Sequence, residues 1–461
     1  SQIDVSARQL SAALDRVGLF GLGEAVDLTY GVQYLPAVHG FVTDEWSGNS
    51  SLSIPIELPP GPGGMGLRLG LNYSSEMVNG LRAGASTYDD PELGTINQDQ
   101  SKAINFNAQA SIVGWGWSLS GLGQITRNLQ NGKWYLGYAG GGFELKNDGV
   151  NGWQTEPQSF LRITQPDRWL VWAPDGTRYT FGSPNWGNGV AYVRNTGTCN
   201  QQTPEAYLTE VLDTHGNKIV ITYATETRNI YCQDGSEQPY VRAIRPTNIE
   251  YFPSGQTNAT VRVDFTYVSR TDTGVPGKED DYTESFWSSQ RLSNVTVKVR
   301  SSATTFTTVR SYDLTQDYLW QDQAAGEGLL RLTGVPQKGK DGGALPAQTF
   351  TYTTSNGWLN HTLLATANNG QGGKVTYSYE NYNNIGIGLC GENTSRYRVS
   401  QMLVEDGLGT AAHDKVQTIY THAQPYSWAS GYPACNDNFE FGGYGFVRKE
   451  VKDGAGVLYQ V

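Results

Sequence analysis

Gly61-Pro-Gly-Gly-Met-Gly66 matches, letter for letter, the glycine pattern that lets a backbone approach a pyrophosphate. That chemistry also needs a helix directly after the glycines, so that its N-terminus can hold the anion. Here Pro59-Pro60 precede, and Leu67-Arg-Leu-Gly-Leu-Asn-Tyr73 follows with strand alternation, so the stretch reads as a Gly/Pro turn. Gly116-Trp-Ser118-Leu-Ser120 approaches a nucleophile elbow but lacks the final glycine, and Ser118 is read as structural. The histidines His39, His215, His361, His413 and His422 stand at no metal-ligand spacing and share no motif with a cysteine. Asp89-Asp90 and Glu279-Asp-Asp281 read as solvated loops, and no calcium loop of Asp-x-Asp-x-Asp-Gly form occurs. Two distant carboxylates acting as glycosidase acid and base would leave no signature in one sequence. No catalytic, cofactor or metal residue is therefore assigned.

Four cysteines remain, Cys199, Cys232, Cys390 and Cys435, each among polar, loop-like residues and none in a C-x-x-C pair. An even number in such settings suits two disulfides and an oxidising compartment. Of the possible pairings, the neighbouring one, Cys199–Cys232 and Cys390–Cys435, is expected, and four free thiols in a reducing cytosol is the alternative. Trp115, Trp117, Trp134, Trp169 and Trp172 offer faces that stack on sugars in a binding module or, more commonly, pack in a core. Asn49, Asn72, Asn258, Asn294, Asn360 and Asn393 begin tripeptides of glycosylation type, a pattern common by chance.

The elements that must position these residues are strands. Of 461 residues, Gly accounts for 56, Tyr for 27 and Trp for 12, while charged residues make up only 17%. Many glycine turns, many aromatics and few helix formers point to an all-β chain. A net charge of −11 argues against nucleic acid or an anionic membrane surface as the main partner. No apolar run is long enough to cross a membrane as a helix. The chain begins at Ser1 and is expected to be a processed or trimmed piece. Residues 5–17 carry the best helical pattern, with Leu10, Leu14 and Val17 on one face and Gly18 as the stop. Residues 80–110 are polar and read as a long surface loop.

The most informative stretch is Tyr207–Tyr223. Leu208 and Val211 are apolar, Asp213-Thr-His-Gly216-Asn217 has turn chemistry, and Ile219, Ile221 and Tyr223 resume with period two. Val211 and Ile219 are expected on buried faces, Gly216 at positive φ, Tyr223 beside a neighbouring strand and His215 in solvent. Other hairpins follow the same habit, at Pro174-Asp-Gly-Thr, at Asn147-Asp-Gly149 and in the strands up to Lys374–Tyr379.

This turn resembles the repeat unit of RHS (YD-repeat) proteins, in which an Asp-x-x-Gly-Asn turn feeds a strand ending in tyrosine. Further motifs are similar to the SpvB-like domain of Tc-toxin B components: Leu71-Asn-Tyr-Ser-Ser75, Gly114-Trp-Gly-Trp-Ser-Leu119 with Ile125-Thr-Arg127, and Pro174-Asp-Gly-Thr-Arg-Tyr179. Gly372-Gly-Lys-Val-Thr-Tyr-Ser-Tyr379 and Phe439-Glu-Phe-Gly-Gly-Tyr444-Gly-Phe-Val447 look like the start of the family's later shell. The resemblance marks Trp115, Trp117, Asp213, Gly216, Asn217, Tyr223 and Tyr444 as its structural residues. It implies large antiparallel sheets of a β-shell, divided as an amino-terminal segment with a short helix (1–45), an SpvB-like domain (46–355) and the start of the shell (356–461). It further implies a secreted or cell-surface protein that serves encapsulation or delivery of a carboxy-terminal effector, or surface display. Its partners would then be the rest of the shell and the enclosed effector. The polar insertion after Asn79-Gly80, and the lack of Phe-Gly-Gly-Ala-Pro repeats, favour a generic RHS surface protein over a Tc toxin. The competing classes are a carbohydrate-binding or adhesive module, with glycans or cell-surface proteins as partners, and a polysaccharide-active enzyme.

Overall fold

Apolar residues at every second position decide where this chain forms strands, and glycine turns decide where it reverses. A computed structural model describes residues 41–80, 86–90, 94–98, 109–128, 131–138, 141–147, 149, 152–183, 188–194, 201–232, 235–272, 287–323, 327–353, 363–385, 394–407, 415–429, 439–453 and 455–460. The helix expected at 5–17 lies outside them. The described chain begins with β1 (Phe41–Thr43), β2 (Ser50–Pro55) and β3 (Gly70–Ser74). A short helix α1 (Ser75–Gly80), the pair β4 (Ser86–Asp90) and β5 (Gly94–Gln98), and β6 (Trp117–Ser120) follow. β1, β2, β3 and β6 form one antiparallel sheet. The loop expected over 80–110 is thus corrected, because β4 and β5 pair within it, from Ser86↔Gln98 to Asp90↔Gly94. Thr87, Tyr88, Thr95 and Ile96 supply the β-branched and aromatic types that strands favour, which the polarity of the whole stretch had masked.

Next come β7 (Gln124–Arg127), β8 (Trp134–Tyr138), β9 (Gly141–Asn147), β10 (Trp153–Glu156), β11 (Arg162–Thr164), β12 (Trp169–Trp172) and β13 (Arg178–Phe181). β14 (Val190–Arg194) and β15 (Gln201–Leu212) complete this part. Neighbours from β7 to β13 pair antiparallel, β13 pairs β15, and β15 pairs β7. The ring is therefore a closed antiparallel barrel of eight strands. Ile125, Leu136, Ile163, Trp169, Val171, Phe181, Leu208 and Val211 are buried, as expected of a small barrel filled by its own side chains. Trp169 packs edge-on against Trp134 and Trp153, with ring centroids 5.0 and 4.8 Å away.

β15 does more than close the barrel. Along one edge Leu208–Leu212 pair β13 while Ala206 and Glu205 pair β14; along the other, Glu205–Tyr207 pair β7. On that second edge Glu210–Leu212 pair β16 (Lys218–Tyr231), which then leaves the barrel. β16 opens a long sheet through β17 (Glu237–Phe252), β18 (Val261–Ser269), β19 (Gln290–Arg300) and β20 (Phe306–Asp313). Val261, Val263 and Phe265 of β18 are buried, while Arg262 and Asp264 point outward and join Glu250 and Lys298 in a cross-strand charge ladder.

A third sheet holds β21 (Thr315–Asp322) and β22 (Glu327–Val335), while β23 (Gln337–Gly339) returns to pair β20. The third sheet continues with β24 (Gln348–Tyr352), β25 (Leu364–Asn368), β26 (Lys374–Ile385), β27 (Thr394–Glu405), β28 (Lys415–Ala429), β29 (Phe439–Asp453) and β30 (Leu458–Gln460). The described chain is all-β apart from α1 and a 3₁₀ turn at Pro62–Gly64. That turn is what the Gly61–Gly66 fingerprint forms in place of a phosphate-binding helix.

The Gly-Trp-Gly-Trp segment bolts the sheets together. Trp115 and Trp117 are 1% and 0% exposed. The Trp115 amide donates to Leu330 O at 2.7 Å, and Leu292 N–H donates to Ile112 O at 2.8 Å. Trp117 Nε1 donates to Tyr352 Oη at 2.8 Å, and Tyr352 Oη donates to Leu332 O at 2.6 Å. Leu364 N–H donates to Tyr73 Oη at 2.9 Å. Burial pushes the Tyr73 and Tyr352 hydroxyls well above the ordinary tyrosine range, so both stay neutral hydrogen-bonding groups.

One turn geometry recurs. The 213–217 turn carries Asp213 N–H to Asn217 O and Gly216 N–H to Asp213 O, and the same two bonds close 173–177, 232–236, 339–343 and 453–457. This is a type I turn with a left-handed glycine, the three-residue hairpin loop that suits strand twist. Gly176, Gly216, Gly235, Gly342 and Gly456 have φ of 85°, 86°, 77°, 77° and 86°. Asp213 Oδ1 also accepts from His215 N (2.9 Å) and Asn217 N (2.8 Å), and Asp453 Oδ1 accepts from Ala455 N and Val457 N in the same way. At Gly216 a Cβ would stand 2.6 Å from Ser254 Oγ, in a backbone region that side chains avoid. Gly216→Val is therefore expected to lower unfolding free energy by more than ~1 kcal/mol, whereas exposed His215→Ala changes it by less than ~0.5 kcal/mol. Denaturant midpoints of the two variants check this, and equal midpoints would contradict it.

Candidate functional site

Among the described residues, a crevice where β15 is handed from β16 to β7 offers room for a ligand. A cavity of about 400 Å³ lies there, bounded by Gln109, Arg127, Tyr207, Arg242, Arg270 and Trp287 among others. A β-bulge builds its polar wall. In the β16–β17 ladder Glu226 faces Ala243 and Thr227 faces Val241, so Arg242 is the extra, unpaired residue. In a regular strand Arg242 and Arg245, three residues apart, would point to opposite faces. The bulge brings both to one carboxylate, Arg242 Nη2 at 3.4 Å and Arg245 Nη1 at 2.5 Å from Glu226. Ser289 N–H donates to the same carboxylate at 2.9 Å, and Ser288 Oγ donates at 3.3 Å. Burial tends to raise the Glu226 carboxyl, but the Ser289 bond and the two arginines outweigh it and hold it below the usual carboxylate range.

The Arg242 guanidinium also lies 3.8 Å from the centre of the Trp287 ring. Arg270, also on the cavity lining, forms a fully buried bidentate pair with Asp272, at 2.9 and 2.7 Å. Arg270 Nη1 donates in addition to Ala110 O and Ser111 O, fixing the segment that leads to the Gly-Trp-Gly-Trp bolt. Gln109 clamps Ser288 from both ends of its amide, at 2.7 and 2.9 Å. Tyr207 Oη donates to Glu205 at 2.9 Å on the barrel side.

Tyr207 and Arg127 fall in motifs read from the sequence, but no residue of the crevice was given a binding role there. The available signal was Val241-Arg-Ala-Ile-Arg245, whose arginine spacing breaks the two-residue alternation of a strand and so marks a bulge. The turn residues stand where the sequence puts them. Val211 and Ile219 are buried, His215 is exposed, and Tyr223 packs against Tyr207 with centroids 5.5 Å apart while its hydroxyl donates to Leu208 O. Asn217 donates to Asp213 Oδ2 at 2.8 Å and accepts from Ser254 N–H at 3.0 Å, tying two turns together. Tyr444 lies on β29 opposite Pro425. Ser118 sits on β6 with its hydroxyl toward Asn72 O, not on an elbow.

Trp115, Trp117 and Trp169 take the commoner of the two roles read for them, packing in the core, and their rings are not open to a sugar. Trp172 carries the Arg162 guanidinium over its ring at 5.0 Å. Cys232 is buried and opens the 232–236 turn, while Cys199, Cys390 and Cys435 lie outside the described residues, as do His39, His361, His413 and Glu279–Asp281. Among the described residues no group of three metal-ligating side chains gathers. No described helix is long and apolar enough to cross a membrane.

No protein-family model and no curated protein sequence matches the chain. Among solved structures it is similar to the Photorhabdus luminescens Tc holotoxin pore, with TM-score 0.43 and 14% identity, covering 95% of this chain and 22% of that one. It is similar to TcdB2-TccC3, with TM-score 0.41 and 14% identity over 92% of this chain and 21% of that one. It is also similar to the N-terminal domain of the effector protein SpvB from Salmonella typhimurium strain LT2, with TM-score 0.35 and 13% identity over 62% and 99%. These are proteins of the kinds that the sequence motifs resemble. The chain spans about a fifth of the length of the two toxin chains. At these scores the likeness carries no activity, cargo or partner over to this chain.

Of the two described histidines, His215 is exposed and His422 is buried. It lies on β28 beside Tyr420, and burial, followed by the charge of Arg398, lowers its pKa to about 4 against a weaker pull from Glu45. Below about pH 6.5 the unfolded chain takes up a proton that the folded chain refuses until about pH 4. The His422 contribution is thus complete above pH 6.5 and is lost as pH falls toward 4, by roughly 3 kcal/mol at most. Wild type is expected to lose more unfolding free energy between pH 7 and 4.5 than His422→Gln. Equal losses in chemical denaturation would contradict the assignment.

Proposed function

We propose that this chain is a structural part of a secreted or cell-surface RHS-type β-shell protein. It serves to enclose or deliver a carboxy-terminal effector, or serves surface display, and works through shape rather than catalysis. The observation that carries this reading is strand length. β16, β17, β28 and β29 run for 14, 16, 15 and 15 residues, against a usual five to six. Such strands make broad, twisted walls, and one end of the wall is anchored by a closed barrel that cannot shear. The motif series from Leu71 to Val447 supports the same assignment. Outside the cytoplasm the pairs Cys199–Cys232 and Cys390–Cys435 would be oxidised, each closing a loop worth roughly 3–4 kcal/mol in the chain-entropy picture.

The test is to express the complete reading frame, recover the secreted or surface-exposed product, image it by electron microscopy and map its disulfides without reduction. A hollow β-shell with this chain in its wall, and the two neighbouring disulfides, is expected. A solid particle with the downstream segment outside it would overturn the enclosure reading, and four free thiols or crossed pairs would overturn the cysteine assignment.

A further inference from the structure

We propose that the crevice between barrel and long sheet binds a small organic oxyanion, a carboxylate or phosphate on a body of about sugar size. This goes beyond the shell reading and does not depend on it. The first ground is charge. The crevice and its immediate support hold Arg127, Arg242, Arg245 and Arg270 against Glu205, Glu226 and Asp272, an excess of one positive charge in a chain of net −11. The protein as a whole repels anions while this recess carries a local positive excess, which is the pattern of a selective site rather than a general affinity.

The second ground is construction. Arg242 is a bulge residue held by Glu226 and by the Trp287 ring, so its guanidinium is fixed before any ligand arrives. Arg270, Asp272 and Gln109 use their bonding groups to hold the walls, which leaves the cavity's shape independent of a ligand. Arg127 lines the cavity and is exposed; its Nε donates to Gly132 O at 3.4 Å and its guanidinium lies 5.7 Å from the centre of the Trp134 ring, which leaves its terminal nitrogens facing solvent. Planar guanidinium groups match two oxygens of a carboxylate or phosphate at once. The third ground is size: about 400 Å³ falls in the range of small-ligand sites and admits a monosaccharide-scale body against the Trp287 side.

The test is calorimetric titration of the folded chain with glucuronate, inorganic phosphate and glucose, at low and moderate salt, alongside Arg127→Gln, Arg242→Gln and a control, Lys146→Gln, outside the crevice. At least one of glucuronate and phosphate is expected to bind, and which one does so decides between a carboxylate and a phosphate ligand. Affinity should fall with salt and drop about fivefold or more in Arg127→Gln, with Lys146→Gln unchanged and glucose silent. Arg242→Gln should weaken binding further where melting shows it folded. If it does not fold, Arg127→Gln, at an exposed position, decides alone. Absence of binding by both anions at ten millimolar would overturn the proposal, as would undiminished binding in Arg127→Gln or glucose binding as tightly as the anions.

Discussion

The rest of the structure depends on the pairing of β15 along both edges. A strand has one row of hydrogen-bonding groups on each side, and β15 divides each row between two partners. The β13 and β7 contacts close the barrel, and the β16 contact launches the long sheet. Unpaired backbone groups are costly when buried, so the chain cannot leave the barrel without first meeting these bonds. The crevice follows from the same arrangement. Where β16 departs and β7 takes its place, two layers diverge, and the recess between them is lined by the bulge at Arg242 and by the segment from Gln109 to Ile112.

The Gly-Trp-Gly-Trp bolt complements this weld. Trp115 and Trp117 fill the space between sheets, while tyrosine hydroxyls reach main-chain groups that no ladder partner satisfies: Tyr73 at Leu364, Tyr312 at Glu57 and Tyr251 at Leu67. Large rings cover apolar area, and their polar tips satisfy strand ends and connecting segments. This accounts for an aromatic-rich chain in which the glycines at 114 and 116 admit close approach. A Cβ at Gly114 would lie 2.9 Å from Leu332 N, and one at Gly116 would lie 2.6 Å from the Tyr73 ring.

Local features were legible in the sequence because they are written locally. Alternation placed Val211 and Ile219 on buried faces, and Asp213-Thr-His-Gly216-Asn217 announced its own turn. The equivalent turn opened by Asp453 carries the same aspartate and glycine spacing. Barrel closure was not legible, because it depends on Phe181 meeting Leu208 and Ile125 meeting Ala206, pairings between segments that carry no mark of their partners. The crevice was hidden for a similar reason. The Arg242–Arg245 spacing signals a bulge but does not name its partner, Glu226 on the preceding strand, toward which the bulge turns both side chains.

The central claim is that barrel and long sheet are one cooperative unit joined through β15. Native-state hydrogen exchange tests it most directly, at the amides of Tyr207 and Leu208, which donate to Gly189 O and Gly123 O, and at those of Val263 and Val297 in the sheet. All four should exchange only through global unfolding, with the same free energy and the same denaturant dependence. Exchange at Tyr207 and Leu208 through a separate, lower-energy opening, while the sheet amides stay protected, would show that the barrel unfolds by itself and that β15 is not the weld.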